Sequence, residues 1–281
     1  MNASANLMSP EELLRRLGDP ELRVIDARFE LTDPAWGAAA YAAGHVPGAV
    51  YLDLDRDLSS APGAHGGRHP LPAMDELAAK LGALGVGPEH EVVVYDQSGT
   101  MYSARAWWLL RYAGHERVRV LDGGLAAYQA AGGELVTEAP AHPPTAFPLR
   151  LRPEMVVDVT HVREALGDPE VLLLDARAPE RYRGEVEPLD KKAGHIPGAL
   201  NRHFLASLKD GRFRTREELA RALAPAAGKA EVIAYCGSGV SGAHLVLALE
   251  EAGYGGAKLY AGSWSDWSSY DDLPVAVGDE G

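Results

Sequence analysis

One cysteine, Cys236, occurs in the 281 residues of this chain. A solitary thiol forms no internal disulfide and builds no structural zinc site, both of which need two or more cysteines, so no mark of an oxidising compartment is present. Long apolar runs are missing too: no stretch approaches the roughly 18 consecutive apolar residues that would span a bilayer. The amino-terminal stretch has no apolar core of signal-peptide length and passes straight into a helix start, with Ser9 as N-cap, Pro10 at the first helical position and Glu12 at the third. A cytoplasmic protein is the expectation. Basic residues are in deficit, 27 Lys plus Arg against 40 Asp plus Glu, for a formal charge of −13. Such a surface repels phosphate backbones and anionic headgroups, which disfavours nucleic-acid and membrane partners and favours a small molecule. The remaining composition, 46% hydrophobic and 24% charged, is that of a folded globular chain. At roughly 100 to 200 residues per domain, the length suits two domains.

The chain repeats itself. Val24-Ile25-Asp26-Ala27-Arg28 returns as Leu173-Leu174-Asp175-Ala176-Arg177, and Gly44-His45-Val46-Pro47-Gly48-Ala49 as Gly194-His195-Ile196-Pro197-Gly198-Ala199. Val94-Tyr95-Asp96-Gln97-Ser98-Gly99 pairs with Ala234-Tyr235-Cys236-Gly237-Ser238-Gly239, and Leu121-Asp122-Gly123-Gly124 with Tyr260-Ala261-Gly262-Ser263. Matches in one order along both halves signify a tandem duplication. Between them, Pro140, Pro143, Pro144, Pro148 and Pro153 favour an extended, semi-rigid linker. We therefore expect a domain over 1–137, a Pro-rich linker over 138–154 and a second domain over 155–281. Strands are predicted at 23–26, 91–95, 117–121, 171–175, 231–235 and 257–260. Helices are predicted at 10–17, 75–81, 103–112, 160–166, 217–223 and 242–252. The alternation reads as an α/β domain in each half, a small parallel sheet flanked by helices.

Cys236 follows the apolar run Val232-Ile233-Ala234-Tyr235 and precedes Gly237-Ser238-Gly239-Val240-Ser241. Ligands of open α/β sheets bind at that carboxyl edge. A glycine loop feeding a helix N-terminus turns several N–H groups and the positive end of the dipole toward one spot, the setting that lowers a thiol's pKa and makes sulfur nucleophilic. The plain alternative is a buried small hydrophobe, the usual fate of a free cysteine.

Together the duplicated Asp-Ala-Arg and Gly-His-[Val/Ile]-Pro-Gly-Ala segments and Cys-Gly-Ser-Gly-Val-Ser resemble those of tandem-domain rhodanese-type sulfurtransferases, over about residues 20 to 270. The resemblance implies two tandem rhodanese-like domains. The amino-terminal one lacks the nucleophile, Asp96 standing at the cysteine position. The other carries a loop, Cys236 with Gly237, Ser238, Gly239, Val240 and Ser241, that holds a sulfane sulfur as a persulfide. Transfer of neutral sulfur needs a thiolate and a cradle for the anionic persulfide, and neither a metal nor an organic cofactor. Ser238 and Ser241 would add hydroxyl donors to the cradle or cap the following helix.

The resemblance also implies a carboxylate- or sulfonate-binding arginine at Arg181. Relatives specialised for 3-mercaptopyruvate carry a second arginine nine residues on, where this chain has Asp190, followed by Lys191 and Lys192. Thiosulfate-specialised relatives carry basic residues just after the cysteine, and here Gly237 and Ser238 are uncharged. The expected reaction is therefore sulfur transfer from 3-mercaptopyruvate to a thiophilic acceptor, with thiosulfate:cyanide transfer by the same mechanism as the alternative. With no second cysteine to resolve the persulfide, the acceptor is a small thiol, cyanide or a reduced protein dithiol. A phosphatase would need Cys-x5-Arg, and the fifth residue past Cys236 is Gly242. A non-catalytic anion- or sulfur-binding module is the rival from another class.

Other signals are weaker. His45 and His195 share a duplicated turn and read as structural. His65-Gly66-Gly67-Arg68-His69 has a histidine pair without further ligands nearby, so no metal is assigned. Asp53, Asp55 and Asp57 open like a calcium loop, but Leu58 and Ala64 replace its glycine and glutamate. Trp264 and Trp267 read as core. Arg105, on the helix after Asp96, is a candidate for steering anionic donors.

Overall fold

The computed structural model describes residues 4–279, so the outermost residues of the two expected domains lie outside it. The chain divides into two compact units. The first is built from the chain up to Ser60, Leu71–Arg152 and Asp210–Arg212. The second is built from Ala61–Pro70, Pro153–Lys209 and the chain from Phe213 onward. The main division falls within the Pro-rich stretch, but two short segments, Ala61–Pro70 and Asp210–Arg212, belong to the unit opposite to their neighbours in sequence. A single crossing point, as the sequence suggests, misses both exchanges.

The first unit holds a parallel sheet of β1 (Leu7–Met8), β2 (Leu22–Asp26), β3 (Ala49–Tyr51), β4 (Glu91–Tyr95) and β5 (Val118–Leu121), in the order β1-β5-β4-β2-β3. The second repeats it with β6 (Val156–Val157), β7 (Val171–Asp175), β8 (Leu200–Asn201), β9 (Glu231–Tyr235) and β10 (Lys258–Tyr260), in the order β6-β10-β9-β7-β8. Parallel neighbours need crossover connections, which is why apolar runs alternate with helices in the sequence. Central strands β4 and β9 are buried along Val92–Tyr95 and Val232–Tyr235 and carry the residues that precede Asp96 and Cys236. The longer predicted elements appear within one or two residues. Edge strands such as β6 and short helices such as Pro179–Tyr182 are absent from the prediction, being too short to show a period.

The Pro-rich stretch is extended, but it is docked along the first unit. Thr145 N–H donates to the Gly82 carbonyl, Arg150 N–H to Ala113 and Arg152 N–H to Tyr112. Gly82 and Gly85 admit it closely, since a Cβ there would lie 2.5 Å from Thr145 O and from His142 Cβ respectively.

The duplicated motifs acquire a structural meaning. Asp175 accepts a bidentate pair from Arg177, whose Nη2 also donates to the Gly194 carbonyl at 2.7 Å. Asp26, Arg28 and the Gly44 carbonyl repeat the arrangement in the first unit. Each Asp-Ala-Arg thus ties the end of a strand to the start of the Gly-His turn, and the buried pairs satisfy each other's charge. Both histidines are structural, as expected. His195 stacks on Tyr182 at 3.7 Å and His45 on Tyr41 at 4.0 Å, each with Nδ1 against that tyrosine's carbonyl.

Candidate active site

Cys236 sits where β9 ends, and the helix Val240–Ala252 begins four residues later. The connecting loop is drawn tight. Gly239 has φ +80°, and a Cβ there would lie 2.3 Å from the Ala261 carbonyl oxygen, so only glycine fits. Three further bonds pin the loop to the start of the next helix. The Cys236 amide donates to Ser263 Oγ at 3.1 Å, Trp264 N–H donates to the Cys236 carbonyl, and Ser265 N–H to that of Gly237. Ser263 holds its place at a cost, for it is a non-glycine residue at φ +56° whose hydroxyl in turn donates to Tyr260 O.

The thiol is 2% exposed. Gly239 N–H donates to Cys236 Sγ at 3.1 Å, an amide aimed at the sulfur as the glycine spacing suggests. Val240 and Ser241 form the buried first turn of the helix, which has no side-chain cap. Capping is therefore not the task of Ser238 or Ser241. The buried Ser238 hydroxyl instead meets His69 Nδ1 at 2.7 Å.

Arg181 stands beside this loop: a Cβ on Gly237 would lie 3.3 Å from its Nη1. Its other nitrogens are held from below by two carboxylates. Nη2 donates to Glu187 at 2.6 Å and to Asp190 at 3.2 Å, and Nε donates to Glu187 at 3.3 Å. Asp190 is thus a partner of Arg181, and its second oxygen pairs with Arg68. Lys191 is exposed. Lys192 Nζ closes on the Tyr270 carbonyl at 2.7 Å, a bond within the scaffold.

Sequence reasoning missed Arg68 and His69. Both lie in Ala61–Pro70, the segment that packs with the second unit, and that segment is moored at several points. Gly66 N–H donates to Asp266, His65 Nδ1 meets Ser269 Oγ at 2.7 Å, and the His65 ring stacks on Tyr270. Chemistry-bearing side chains concentrated in a glycine-rich stretch without helical or strand period were the available signal. Nothing in the sequence linked them to Cys236.

In the first unit the equivalent loop is filled by its own side chain. Asp96 Oδ2 accepts from the Tyr102 and Ser103 amides at 3.0 Å each and from Ser103 Oγ at 3.1 Å, while Oδ1 accepts from the Thr100 amide at 3.2 Å. Burial nonetheless pushes the Asp96 carboxyl up to about 6, those donors opposing it. Ala40, beside Tyr41, stands where Arg181 stands beside Tyr182. Arg105 is fully buried and donates to the Leu58 carbonyl at 3.2 Å, so it has no access to an approaching donor and the steering role is withdrawn. Trp264 and Trp267 are core, as expected, with Trp264 beneath the Arg177 guanidinium.

The model of the rhodanese-like domain family matches residues 9–131 and 158–270. A Pseudomonas aeruginosa protein named "Probable 3-mercaptopyruvate sulfurtransferase" is 46% identical over 284 residues, covering 99% of this chain and 100% of that protein. Another protein of that species, named thiosulfate sulfurtransferase, is 37% identical over 274 residues, covering 96% of this chain and 97% of its own. Among solved structures, SseA from Escherichia coli, titled as a 3-mercaptopyruvate sulfotransferase, gives a TM-score of 0.79 at 34% identity, covering 92% of this chain and 98% of that one.

Proposed function

The chain belongs to the rhodanese-like domain family, and on that premise we propose that it is a sulfurtransferase that takes sulfur from 3-mercaptopyruvate onto Cys236 and passes it to a thiophilic acceptor. The observation that carries this reading is the loop of residues 236–241, with an amide on the sulfur and a guanidinium beside it. The donor carboxylate meets Arg181, whose planar fork suits it. Cys236 Sγ attacks the donor sulfur. An S–S bond forms as the C–S bond breaks, the C–S electron pair leaves as the enolate of pyruvate, and the donor's thiol proton ends on the enolate carbon. Ser238 and His69, hydrogen-bonded at 2.7 Å, are the pair suited to carry that proton. An acceptor thiol or cyanide then attacks the outer sulfur and releases Cys236.

The first unit supports the cradle by analogy. A persulfide places its outer sulfur two bonds beyond Cβ, the same number as an aspartate oxygen, with the longer C–S and S–S bonds carrying it somewhat further. Ionised Asp96 thus carries the same charge as a persulfidated cysteine at a similar place, and in the same loop its two oxygens draw three backbone amides and a hydroxyl. The residues of the second unit that match those amide donors are Val240, Gly242 and Ala243.

The uncharged Gly237 and Ser238 and the name of the 46%-identical relative favour 3-mercaptopyruvate as donor. The thiosulfate-named relative keeps thiosulfate as the second reading. Comparing kcat/KM for the two donors with one acceptor reads differential transition-state binding directly. We expect 3-mercaptopyruvate to be preferred by about tenfold or more, and Cys236→Ser to abolish transfer while leaving the circular dichroism spectrum unchanged. A preference for thiosulfate reassigns the donor. Turnover in Cys236→Ser above about 1% of wild type removes Cys236 as nucleophile.

A further inference from the structure

We propose that Asp266 is a positioning residue for sulfur loading: its buried carboxylate fixes the backbone that carries His69, and so keeps the imidazole on Ser238 for the proton that leaves the donor. The inference rests on the reading of Cys236 as the sulfur carrier and of Ser238 and His69 as the pair that carries the proton. Asp266 is 5% exposed and stands on the short helix Ser263–Trp267. Its oxygens are divided between two elements. Oδ1 accepts the Gly66 N–H at 2.7 Å, across 200 positions of sequence, and Oδ2 accepts the Tyr260 hydroxyl at 2.7 Å. The Tyr260 carbonyl in turn accepts from the hydroxyl of Ser263, the residue that holds the Cys236 amide. One carboxylate thus joins the backbone leading to His69 to the backbone under the sulfur.

The segment needs such a hold. Gly66 and Gly67 lie at φ +93° and +84°, and nothing in residues 61–70 is helix or strand. Two successive glycines leave the backbone free to turn, just ahead of an imidazole whose 2.7 Å contact with Ser238 has to be kept. The bond to Asp266 fixes the Gly66 peptide, and close packing fixes the next residue, since a Cβ on Gly67 would lie 2.4 Å from the Gly262 carbonyl oxygen. A buried carboxylate is a costly way to hold a fold. The first unit makes the same turn without one: the repeat places Ala127 at the position of Asp266 and Leu121 at that of Tyr260, in the half where Asp96 has replaced the sulfur. The dependence is also selective. Loading from 3-mercaptopyruvate moves a proton from the donor thiol to the enolate carbon. Cyanide attacking the Cys236 persulfide forms thiocyanate and returns the thiolate with no proton moved. Misplacing His69 therefore slows loading and spares discharge.

The test is single-turnover kinetics of the two half-reactions: sulfur gain on Cys236 from 3-mercaptopyruvate, read by mass, and, after loading to completion, discharge by cyanide, read as thiocyanate. Asp266→Ala is expected to slow loading at least about tenfold and discharge less than about threefold. In a His69→Ala background the same change is expected to slow loading less than about twofold, because a residue that acts through His69 then has nothing to position. Asp266→Asn, whose oxygen can take the Gly66 N–H while its amide donates to the Tyr260 oxygen, is expected to load within about threefold of wild type. Loading in Asp266→Ala within about twofold of wild type overturns the inference. So does a parallel fall in both half-reactions, which marks a residue that only supports the loop, a full additional loss in the His69→Ala background, or Asp266→Asn no better than Asp266→Ala. Should Asp266→Ala fail to fold, Asp266→Leu, which keeps the branched shape and removes both acceptors, is read by the same ratio of loading to discharge. Wild type that gains no sulfur on Cys236 overturns the donor reading and this inference together, and His69→Ala that loads like wild type removes the proton-carrying pair and the inference with it. Wild type that loads, with His69→Ala slowed and Asp266→Ala normal, overturns only the inference.

Discussion

Ser263 shows how much backbone strain one residue near the sulfur carries. Its counterpart in the first unit is Gly124, also left-handed at φ +60°, where glycine is at ease. In the second unit the same conformation is imposed on a residue with a Cβ, and what offsets the strain is the hydroxyl that takes the buried Cys236 amide. Ser263→Gly removes the strain together with the hydroxyl; Ser263→Ala removes only the hydroxyl. An unpaired buried amide costs about 1–3 kcal/mol, and relief of a left-handed residue returns about 1 kcal/mol. Urea unfolding should therefore rank wild type above Ser263→Gly and Ser263→Ala lowest. An alanine variant as stable as wild type would show that the bond is not supporting the loop.

At the scale of elements, the two strand-loop-helix units compare one architecture with different occupants. The loop after β9 leaves a sulfur under an amide, while the loop after β4 encloses a carboxylate that burial has raised to about 6. The sign of the linkage follows from that direction. Because the folded value exceeds the unfolded 3.8, Asp96 contributes stability that is full below 3.8 and is lost as pH rises through about 6. Relative to Asp96→Asn, wild type should lose on the order of 2 to 3 kcal/mol across that window, read as the difference in unfolding free energy at the two ends. A difference that stays flat, or grows with pH, would contradict the raised value.

For the whole molecule, duplication has left one chemically equipped site. The first unit has Asp96 at the cysteine position and Ala40 at the position of Arg181. A nucleophile alone should therefore not revive it. We expect Asp96→Cys in a Cys236→Ser background to show no transfer from 3-mercaptopyruvate above the Cys236→Ser level, by thiocyanate or sulfide release. Turnover approaching wild type would mean that the cysteine and its loop suffice, and that the arginines of the second unit are dispensable. No helix among the described residues is long and apolar enough to cross a membrane, in keeping with the short apolar runs of the sequence.

Much of this was decided locally. The repeat, the paired α/β sheets, the placement of Cys236 at the end of β9 and the need for glycine at 239 follow from patterns within a few residues, because strand period, turn chemistry and φ preference are local properties. The structural role of His45 and His195 was legible for the same reason, since each stacks on a tyrosine within its own repeat. Arg68, His69 and the true partner of Asp190 were not legible. Arg68 and Asp190 are separated by 122 positions, and His69 and Ser238 by 169. Such contacts arise only when burial of a whole segment decides which unit it joins. The amino-acid order determined that a thiol would stand at the mouth of a parallel sheet; tertiary packing determined which charges and which imidazole would surround it.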